Sequence, residues 1–259
     1  MHNSRRDGGE RRRRKREPRR RLSTLEQREW SVPRYVDQPI EPLDREGLER
    51  VHDAAMRILE EIGIDFLHPD AREILRRAGC DVETEGFRVR MDRGFVEEQI
   101  AKAPTRIVVT PRNPARAITW GDGCFTFGAV ASPPNVSDIE RGRRSGNRQD
   151  FADLVRLTQV FNCLHFHSGY PVEPVDIHAS IRHLDALFDI LTLSDKVCHA
   201  YSLGPERIED AMEMVRIASG VSDDDFDEKA RMYTNINSSS PLKHDWPMLD
   251  GAMRMAARN

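Results

Sequence analysis

A repeat of strand and helix patterns in the C-terminal half of this 259-residue chain constrains its fold more than any other feature. Helical and strand patterns alternate there, at 149–161, 163–168, 178–193, 196–202, 205–219, 231–238 and 247–257. Aligned on His165, His199 and Tyr233, the three strands recur at equal spacing. Because parallel neighbours need a long connection, this alternation predicts a parallel sheet with right-handed crossover helices. A TIM barrel and a doubly wound sheet are both built in this way.

The two faces of the predicted strands differ in polarity. Side chains alternate along a strand, so the apolar set should face the helices: Leu164, Phe166, Cys198, Ala200, Met232, Thr234 and Ile236. The opposite face would then carry the polar set: His165, His167, His199, Tyr201, Tyr233, Asn235 and Asn237. Helices cover both faces of an open sheet, where a polar face is costly, whereas in a barrel it points into the mouth. We therefore predict an α/β fold, a partial TIM (β/α)8 barrel with an N-terminal α+β subdomain.

The patterns divide the chain into three segments. Residues 1–42 are expected to be a disordered basic tail and linker, with Trp30 and Tyr35 pinning the linker to the body. Residues 43–147 should form the α+β subdomain, and residues 148–259 the first βα units of a truncated TIM-like barrel. In the subdomain the patterns predict helices at 44–62, 69–78 and 93–101, strands at 87–90 and 106–110, two strands around a turn at 121–123, and a hairpin at 136–145.

Charge separates the tail from the body. Residues 1–22 hold eleven basic and three acidic residues, although the whole chain has a net charge of −3. A block of this kind repels itself and lacks apolar residues, so it is expected to be disordered. It is either an arm that binds nucleic acid or a solvated leader, and the second interpretation is favoured because no aromatic residues interleave the arginines. The four cysteines lie far apart and no apolar run is long enough to span a bilayer, which predicts a cytoplasmic protein without a membrane partner.

The polar strand face supplies the candidate functional residues. His165 and His167 have the spacing of two metal ligands on one strand, which leaves a metal-dependent barrel hydrolase open. No acidic residue lies on that predicted face, so packing and substrate contact are the other roles for these residues. Cys163 and Cys198 are expected to be buried on the helix side. No phosphate-binding glycine loop or nucleophile-elbow motif occurs, and no residue stands out as a nucleophile or general base.

The stretch GAVASPPNVSDIERGRR at 128–144 resembles the trimethylamine methyltransferase family, the corrinoid-dependent methylamine methyltransferases. In that family a Gly-rich turn leads into a PNV-D-E-G-RR pattern, which is matched here by Gly128, Pro134, Asn135, Val136, Asp138, Glu140, Gly142, Arg143 and Arg144. Further segments are similar to the family in the same order: LEEIGIDF, VRMDRGFVEEQIAKAP, TPRNPARAITWGDG, DFADLVRLTQV and SSSPLKHDWPMLDGAM. The resemblance runs from residue 43 to residue 259.

This resemblance implies a TIM-barrel enzyme that demethylates a methylated amine and passes the methyl group to the Co(I) corrinoid of a partner protein. The chain would bind no cofactor directly; its partners would be a cognate corrinoid protein and a small amine, trimethylamine or betaine-like. Because aromatic faces bind such cations, Tyr170, Tyr201 and Tyr233 are candidates for contact with the amine. Family members are longer and some carry pyrrolysine in the other half, so the resemblance also implies an N-terminal half, inactive alone and homo-oligomeric when full length.

Three functional hypotheses follow from the sequence. The first is a corrinoid-dependent methyltransferase that uses the polar strand face to bind its substrate. The second is a metal-dependent hydrolase that uses His165 and His167. The third is a nucleic-acid binder acting through the basic residues of the segment 5–21, which is the least favoured of the three.

Overall fold

The computed structural model describes residues 25–258, so most of the predicted basic tail lies outside the described residues. These residues form a mixed α/β structure. Its N-terminal part contains α1 (Arg45–Arg57), β1 (Ile64–Phe66), α2 (Pro69–Arg77), β2 (Asp81–Val82), β3 (Arg88–Arg90), α3 (Arg93–Lys102), β4 (Arg106–Val109), β5 (Ile118–Gly121), β6 (Asn135–Asp138) and β7 (Gly142–Ser145). Its C-terminal part contains α4 (Arg148–Val160), α5 (Arg182–Leu193), β8 (Cys198–His199), α6 (Pro205–Ser219), α7 (Asp223–Asp227), β9 (Met232–Tyr233), β10 (Lys243–His244) and α8 (Trp246–Ala256).

The helices begin and end at capping signals that the sequence contains. Asp44 accepts a hydrogen bond from the Gly47 N–H at the start of α1, which confirms it as the N-cap. A π-helical turn at Ile58–Ile62 extends α1, and Gly63 ends it with a φ of 80°. A Cβ at Gly63 would overlap the carbonyl oxygen of Val89, so this position requires glycine. No helix within residues 25–258 is both long enough and apolar enough to cross a membrane.

The strands of the N-terminal part form three small sheets. One has the order β10-β1-β3-β2, and the other two are the pairs β4-β5 and β6-β7. The pair β6-β7 confirms the predicted hairpin at 136–145. The prediction of two strands around the turn at 121–123 is half wrong: β5 leads into the turn, but residues 124–128 form no strand with it. The reason is that β5 already pairs with β4, in an antiparallel register along its whole length.

Four segments, one from the N-terminal part and three from the C-terminal part, pair side by side in parallel, in chain order. Gly128 pairs with Phe166, and Phe166 pairs with Val197, each through a single bridge. The strands β8 and β9 continue the pairing in parallel. We call these four segments, around Gly128, Phe166, β8 and β9, the parallel ladder. It confirms the parallel pairing that the repeat predicts, although the described residues form no closed barrel and the strands are much shorter than 163–168, 196–202 and 231–238.

Two apolar cores lie on opposite sides of the parallel ladder. The larger core packs helices α4, α5 and α6 against one side of the ladder, and its most buried members include Phe151, Val155, Ala186, Ile190, Cys198 and Ile208. The smaller core packs the β4-β5 pair against the other side, and it contains Val109, Ile118 and Val197 with Trp30, Val32, Trp120, Phe166 and Tyr233 around them. The N-terminal part therefore covers the face of the ladder that the helices leave open.

Part of the predicted linker is an ordered strap against the body. We call residues 27–35 the strap. The side chain of Gln27 accepts a hydrogen bond from the Asn162 N–H at 2.9 Å, and Trp30 packs on the smaller core. The Tyr35 N–H donates to a carbonyl of the turn after β5 at 3.1 Å. The prediction that Trp30 and Tyr35 pin the linker to the body is confirmed. The disorder predicted for the basic tail concerns residues 1–22, which lie outside the described residues.

Candidate functional site

The register of the parallel ladder divides the predicted site residues between its two faces. Paired residues on neighbouring strands point to the same side of a sheet. Because Phe166 pairs with Val197, Phe166 shares a face with His199, two residues further along β8. His165 and His167 therefore lie on the opposite side of the ladder. The prediction that they lie beside His199 is wrong, and so is the prediction that Phe166 faces the helices.

The error has a simple geometric cause. The repeat alignment assumed the same spacing between all neighbouring strands, and this spacing is correct for the pair His199 and Tyr233. Between the segment around Phe166 and β8, the paired residues are Phe166 and Val197. They are three positions closer in sequence than the repeat requires, which is an odd number. A slip by an odd number of residues turns every side chain of a strand to the other face. The register between neighbouring strands, which tertiary packing decides, thus sets which histidines face the site.

His165 and His167 are both buried, and the main chain engages the imidazole of His165. The Nδ1 atom of His165 accepts a hydrogen bond from the Phe127 N–H, and its Nε2 atom donates to the carbonyl of Ser31, both at 2.9 Å. Since the main chain engages both nitrogens, this imidazole has no lone pair free for a metal. His167 is fully buried, and burial lowers its pKa to about 3. Within residues 25–258 no group of three His, Cys, Asp or Glu side chains is placed to hold a metal ion.

Five ring side chains form a continuous row on the other face of the ladder. We call Trp120, Phe166, Tyr233, His199 and Tyr201 the ring row. The ring centroids of Trp120 and Tyr233 are 4.9 Å apart, those of Tyr233 and His199 5.0 Å, and those of His199 and Tyr201 4.7 Å. Phe166 contacts both Trp120 and Tyr233, at 5.8 and 5.7 Å. The structure thus brings together three of the predicted residues, His199, Tyr201 and Tyr233, and adds two that were not predicted.

The hydroxyl of Tyr201 is fixed by the loops at its end of the ring row. It accepts a hydrogen bond from the Tyr170 N–H at 3.1 Å and contacts the hydroxyl of Ser132. The ring of Tyr170 also packs edge-on against Tyr201, with centroids 4.7 Å apart. Gly169 has a φ of 141°, and a Cβ there would overlap the Tyr201 hydroxyl. The loop therefore needs glycine at this position to leave room for the phenol.

Burial keeps the centre of the ring row uncharged. It lowers the pKa of His199 to about 4, so the imidazole is neutral at physiological pH. Neither nitrogen of His199 has a hydrogen-bond partner within the described residues, although both are buried. Burial also raises the pKa of the Tyr233 phenol, whose hydroxyl donates to the carbonyl of His167 at 3.2 Å. A cation that approaches these rings meets polarizable faces and no positive charge from His199.

A cavity of about 770 Å³ lies beside one end of the ring row. Trp120, Phe166 and Tyr233 line it, together with Asn235. Asn235 and Asn237, which were predicted to belong to the site, are both exposed to solvent. Asn235 borders the cavity and Asn237 does not, so the structure joins only the first of these amides to the ring row.

Sequence reasoning missed three residues of the site for different reasons. Trp120 comes from β5 in the N-terminal part, which the strand repeat did not connect to the site. The equal spacing of the repeat predicts the wrong face for Phe166. Ser132 lies in the loop GAVASPPN with a φ of 56°, and nothing in the residue types marks it as a neighbour of Tyr201. The one signal for this loop was its resemblance to a known family.

The two cysteines near the ladder differ in burial. Cys198 is buried as predicted, and burial raises its pKa to about 12. Cys163 is exposed, so its predicted burial is wrong. The cause is that the ladder segment around Phe166 is short. It pairs only at Phe166 and leaves residue 163 in the connection after α4.

Known proteins match this chain over most of its length. The sequence model described as trimethylamine methyltransferase (MTTB) matches residues 7–259. The glycine betaine methyltransferase of Desulfitobacterium hafniense (strain Y51) is 34% identical over 214 residues, which are 83% of this chain and 44% of that protein. The trimethylamine methyltransferase MttB of Desulfitobacterium hafniense (strain DSM 10664 / DCB-2) is 26% identical over 203 residues, 76% of this chain and 40% of that protein. The chain therefore spans less than half the length of these curated relatives.

The chain is thus an α/β protein whose parallel ladder carries a row of uncharged rings, three of which line a cavity. The chain belongs to the trimethylamine methyltransferase family. The resemblance seen in its sequence is thereby confirmed.

Proposed function

We propose that this chain binds a methylated amine, betaine-like or trimethylamine, from which a methyl group passes to the corrinoid of a partner protein. The observation that carries the proposal is the ring row beside a cavity of about 770 Å³. A quaternary amine is a cation that has no proton to release, so it keeps its charge in an apolar site. Aromatic faces attract such a cation by about 1–2 kcal/mol when it is desolvated. The substrate chemistry and the site therefore complement each other.

Four members of the ring row have defined roles in this proposal. Tyr233 and Trp120 both line the cavity, and they offer ring surfaces to the methyl groups of the amine. His199 stays neutral because burial lowers its pKa to about 4, so it adds ring surface without repelling the cation. Tyr201, held at its hydroxyl by the Tyr170 N–H, completes the row behind His199. The chain thus orients the amine and excludes water from one side of it.

The corrinoid fits this arrangement as a group held outside the chain. The cavity is bordered by Asn235, which is exposed to solvent, so an acceptor carried by a partner protein could reach the bound amine from that side. When bound, the partner's corrinoid supplies a cobalt centre that accepts the methyl group. In this proposal the chain contributes no ligand to the cobalt, and its part in the reaction is to hold and orient the amine.

The match to less than half of each curated relative bears on activity. We propose that the 259-residue chain by itself binds the amine and does not complete the methyl transfer. A TIM (β/α)8 barrel, of which the parallel ladder would be the first part, would place the ring row at the catalytic mouth formed by the carboxyl ends of the strands. The barrel and the corrinoid partner are both part of the proposal.

The alternative of a metal-dependent hydrolase has less support. Its two predicted ligands, His165 and His167, lie on the face opposite the ring row. Both nitrogens of His165 are already engaged by the main chain. The alternative of nucleic-acid binding rests on residues 5–21, which lie outside the described part of the chain.

Binding of a quaternary amine and of its carbon isostere tests the proposal. Isothermal titration calorimetry would measure the affinity of the chain for glycine betaine, for trimethylamine and for 3,3-dimethylbutyrate. In 3,3-dimethylbutyrate a carbon atom replaces the charged nitrogen of betaine. We expect glycine betaine to bind at least tenfold more tightly than the carbon isostere, because only the cation gains from the aromatic faces. Replacing Tyr233 by leucine should weaken betaine binding by about tenfold, which corresponds to about 1.4 kcal/mol.

Tyr35→Leu is the matched control, because Tyr35 is a half-exposed tyrosine of the strap that lies outside the ring row. It should leave the affinity for betaine unchanged. Equal affinities for betaine and the carbon isostere, or an unchanged affinity in a folded Tyr233→Leu variant, would contradict cation recognition by the ring row.

A further inference from the structure

Helix α1 turns an apolar stripe toward solvent. The stripe consists of Leu48, Val51, Ala55, Ile58 and Ile62, the last two in the π-helical turn that extends α1, and we call it the α1 stripe. Its four larger side chains are between 38% and 61% exposed. An amphipathic helix normally turns such a stripe toward the core of its own protein, and an exposed apolar stripe marks a surface that binds another partner.

Within the described residues α1 packs through its other side. Met56 is buried there. Asp53 accepts a hydrogen bond from the guanidinium of Arg93 at 2.8 Å, and Glu60 accepts one from the Arg93 N–H at 2.9 Å, at the start of α3. These contacts hold α3 on the side of α1 that lies away from the α1 stripe. The stripe is therefore left free for a partner.

The spacing of the α1 stripe is typical of a seam between two paired helices. Its members follow one another at intervals of three, four, three and four residues, which is the pattern that a coiled-coil helix presents to its neighbour. The pattern is symmetric about Ala55, with Leu48 seven residues before it and Ile62 seven residues after it. In two antiparallel copies related by an axis near Ala55, Leu48 of one copy would contact Ile62 of the other, and Val51 would contact Ile58. The small side chain at the centre would let the two helices approach closely.

The charges beside the α1 stripe favour the same orientation. Arg50 and Glu61 lie along one flank of the stripe, and each forms an ion pair within its own helix, Arg50 with Glu46 and Glu61 with Arg57. In the antiparallel pair Arg50 of one copy would lie beside Glu61 of the other. A parallel pair would instead bring Arg50 beside Arg50 and Glu61 beside Glu61, and like charges that face each other across an interface are unfavourable.

We propose that the α1 stripe is an interface at which two copies of this chain pair through antiparallel α1 helices. A two-fold contact uses the same surface on both copies, so this surface must be complementary to itself. The α1 stripe meets this requirement in its apolar spacing and in the charges of its flank. An unrelated helix would require neither property. Pairing of this kind is independent of amine binding.

Sedimentation velocity of the 259-residue chain over a wide range of protein concentration tests this interface. We expect a reversible dimer. The variant Val51→Glu should raise its dissociation constant at least tenfold, because the new carboxylate would be buried in an apolar seam. Ile74→Glu is the matched control, since Ile74 is an apolar residue of α2 with nearly the same exposed fraction as Val51, and it should leave the dimer intact. Circular dichroism verifies that both variants are folded.

Charge reversal tests the antiparallel orientation. Arg50→Glu and Glu61→Arg should each weaken the dimer, and the double variant should restore it because the pair across the interface re-forms with exchanged signs. An effect confined to the stability of α1 would instead be largest in the double variant, since both new side chains then meet a like charge within their own helix. A chain that stays monomeric at every concentration would overturn the proposal, in favour of another partner for the stripe. A dimer unaffected by Val51→Glu, or not restored in the double variant, would overturn it as well.

Discussion

At the level of single residues, burial decides the chemistry of the site more than residue type does. His165, His167 and His199 are all buried, yet their surroundings differ. The main chain holds both nitrogens of His165, whereas the imidazole of His199 lies edge-on to two tyrosine rings. His199 is neutral because burial lowers its pKa to about 4. Of the three histidines, only His199 therefore belongs to the ring row.

The lowered pKa of His199 predicts a loss of stability in mild acid. An unfolded histidine has a pKa of about 6.5, so between pH 6.5 and 4 the unfolded chain takes up a proton that the folded chain does not. The free energy of unfolding should therefore fall as the pH falls through this range. His167, with a pKa of about 3, should act in the same direction. Urea unfolding at pH 7 and pH 5 measures the slope.

Replacing His199 by phenylalanine should reduce that slope by up to about 1.4 kcal/mol per pH unit, the value for one proton. Val130→Ala is the control, because Val130 is an exposed residue without a titratable group, and it should keep the full slope. A His199→Phe variant that keeps the full slope of the wild type would show that His199 is not the group responsible.

At the level of elements, helices were predictable and strand registers were not. Asp44, Asp92 and Asp245 each cap a helix through a hydrogen bond to a main-chain N–H nearby in sequence. Such local signals are visible in the sequence, and most predicted helices agree closely with the structure. The exception is α5, which begins at Arg182 instead of residue 178. Strand pairing instead joins residues far apart in the chain, so one connection of unequal length moved His165 and His167 to the wrong face.

The strap is the element whose contribution to stability can be tested most directly. Trp30 packs on the smaller core, and the guanidinium of Arg116 lies 5.1 Å from its ring centroid. We expect Trp30→Ala to lower the free energy of unfolding by about 2 kcal/mol, less than for a fully buried tryptophan because Trp30 is partly exposed. Chemical denaturation measures this loss.

Val36→Ala supplies the comparison for the strap, since Val36 is 94% exposed just beyond it. It should change the free energy of unfolding by less than about 0.5 kcal/mol. If Trp30→Ala lowers the free energy of unfolding no more than Val36→Ala does, then the strap does not stabilise the smaller core.

At the level of the whole molecule, the C-terminal part returns to the N-terminal sheet. β10 pairs in parallel with β1, where the Leu67 N–H donates to the His244 carbonyl at 3.0 Å. Immediately after β10, Trp246 stacks on His68 with ring centroids 4.9 Å apart. His68 is buried, and its Nε2 atom lies 3.6 Å from a carboxylate oxygen of Asp250 in α8. These contacts join α2 and β1 to α8, although the two ends of the connection are far apart in sequence.

This connection predicts that the two parts unfold together. In the wild type we expect hydrogen exchange at β1 and β3 to be as slow as at α8, because opening one part exposes the contacts of the other. Trp246→Ala should speed exchange at β1 and β3 by at least tenfold while α6 stays protected. Hydrogen exchange followed by mass spectrometry measures all four elements in one experiment.

Ile217→Ala is the control for this experiment, because Ile217 is an exposed residue of α6 far along the chain from β10. It should leave exchange at β1 and β3 unchanged. Equally faster hydrogen exchange at α6 and β1 in Trp246→Ala would mean that the stack contributes to overall stability and does not couple the two parts.

The cytoplasmic location, the homo-oligomeric state and the division of the chain into segments at residues 42 and 147 stay predictions.

The sequence by itself determined the α/β class, the parallel pairing, nearly all the helices and the family. Each of these depends on local signals or on the order of motifs, which tertiary contacts do not alter. Only the tertiary structure decided which side chains meet at the site. Trp120 arrives from the N-terminal part, Phe166 and His167 exchange the faces expected of them, and Asn237 stays apart from the cavity. The physical reason is that a face in a sheet depends on register, and register is set by packing between residues distant in sequence.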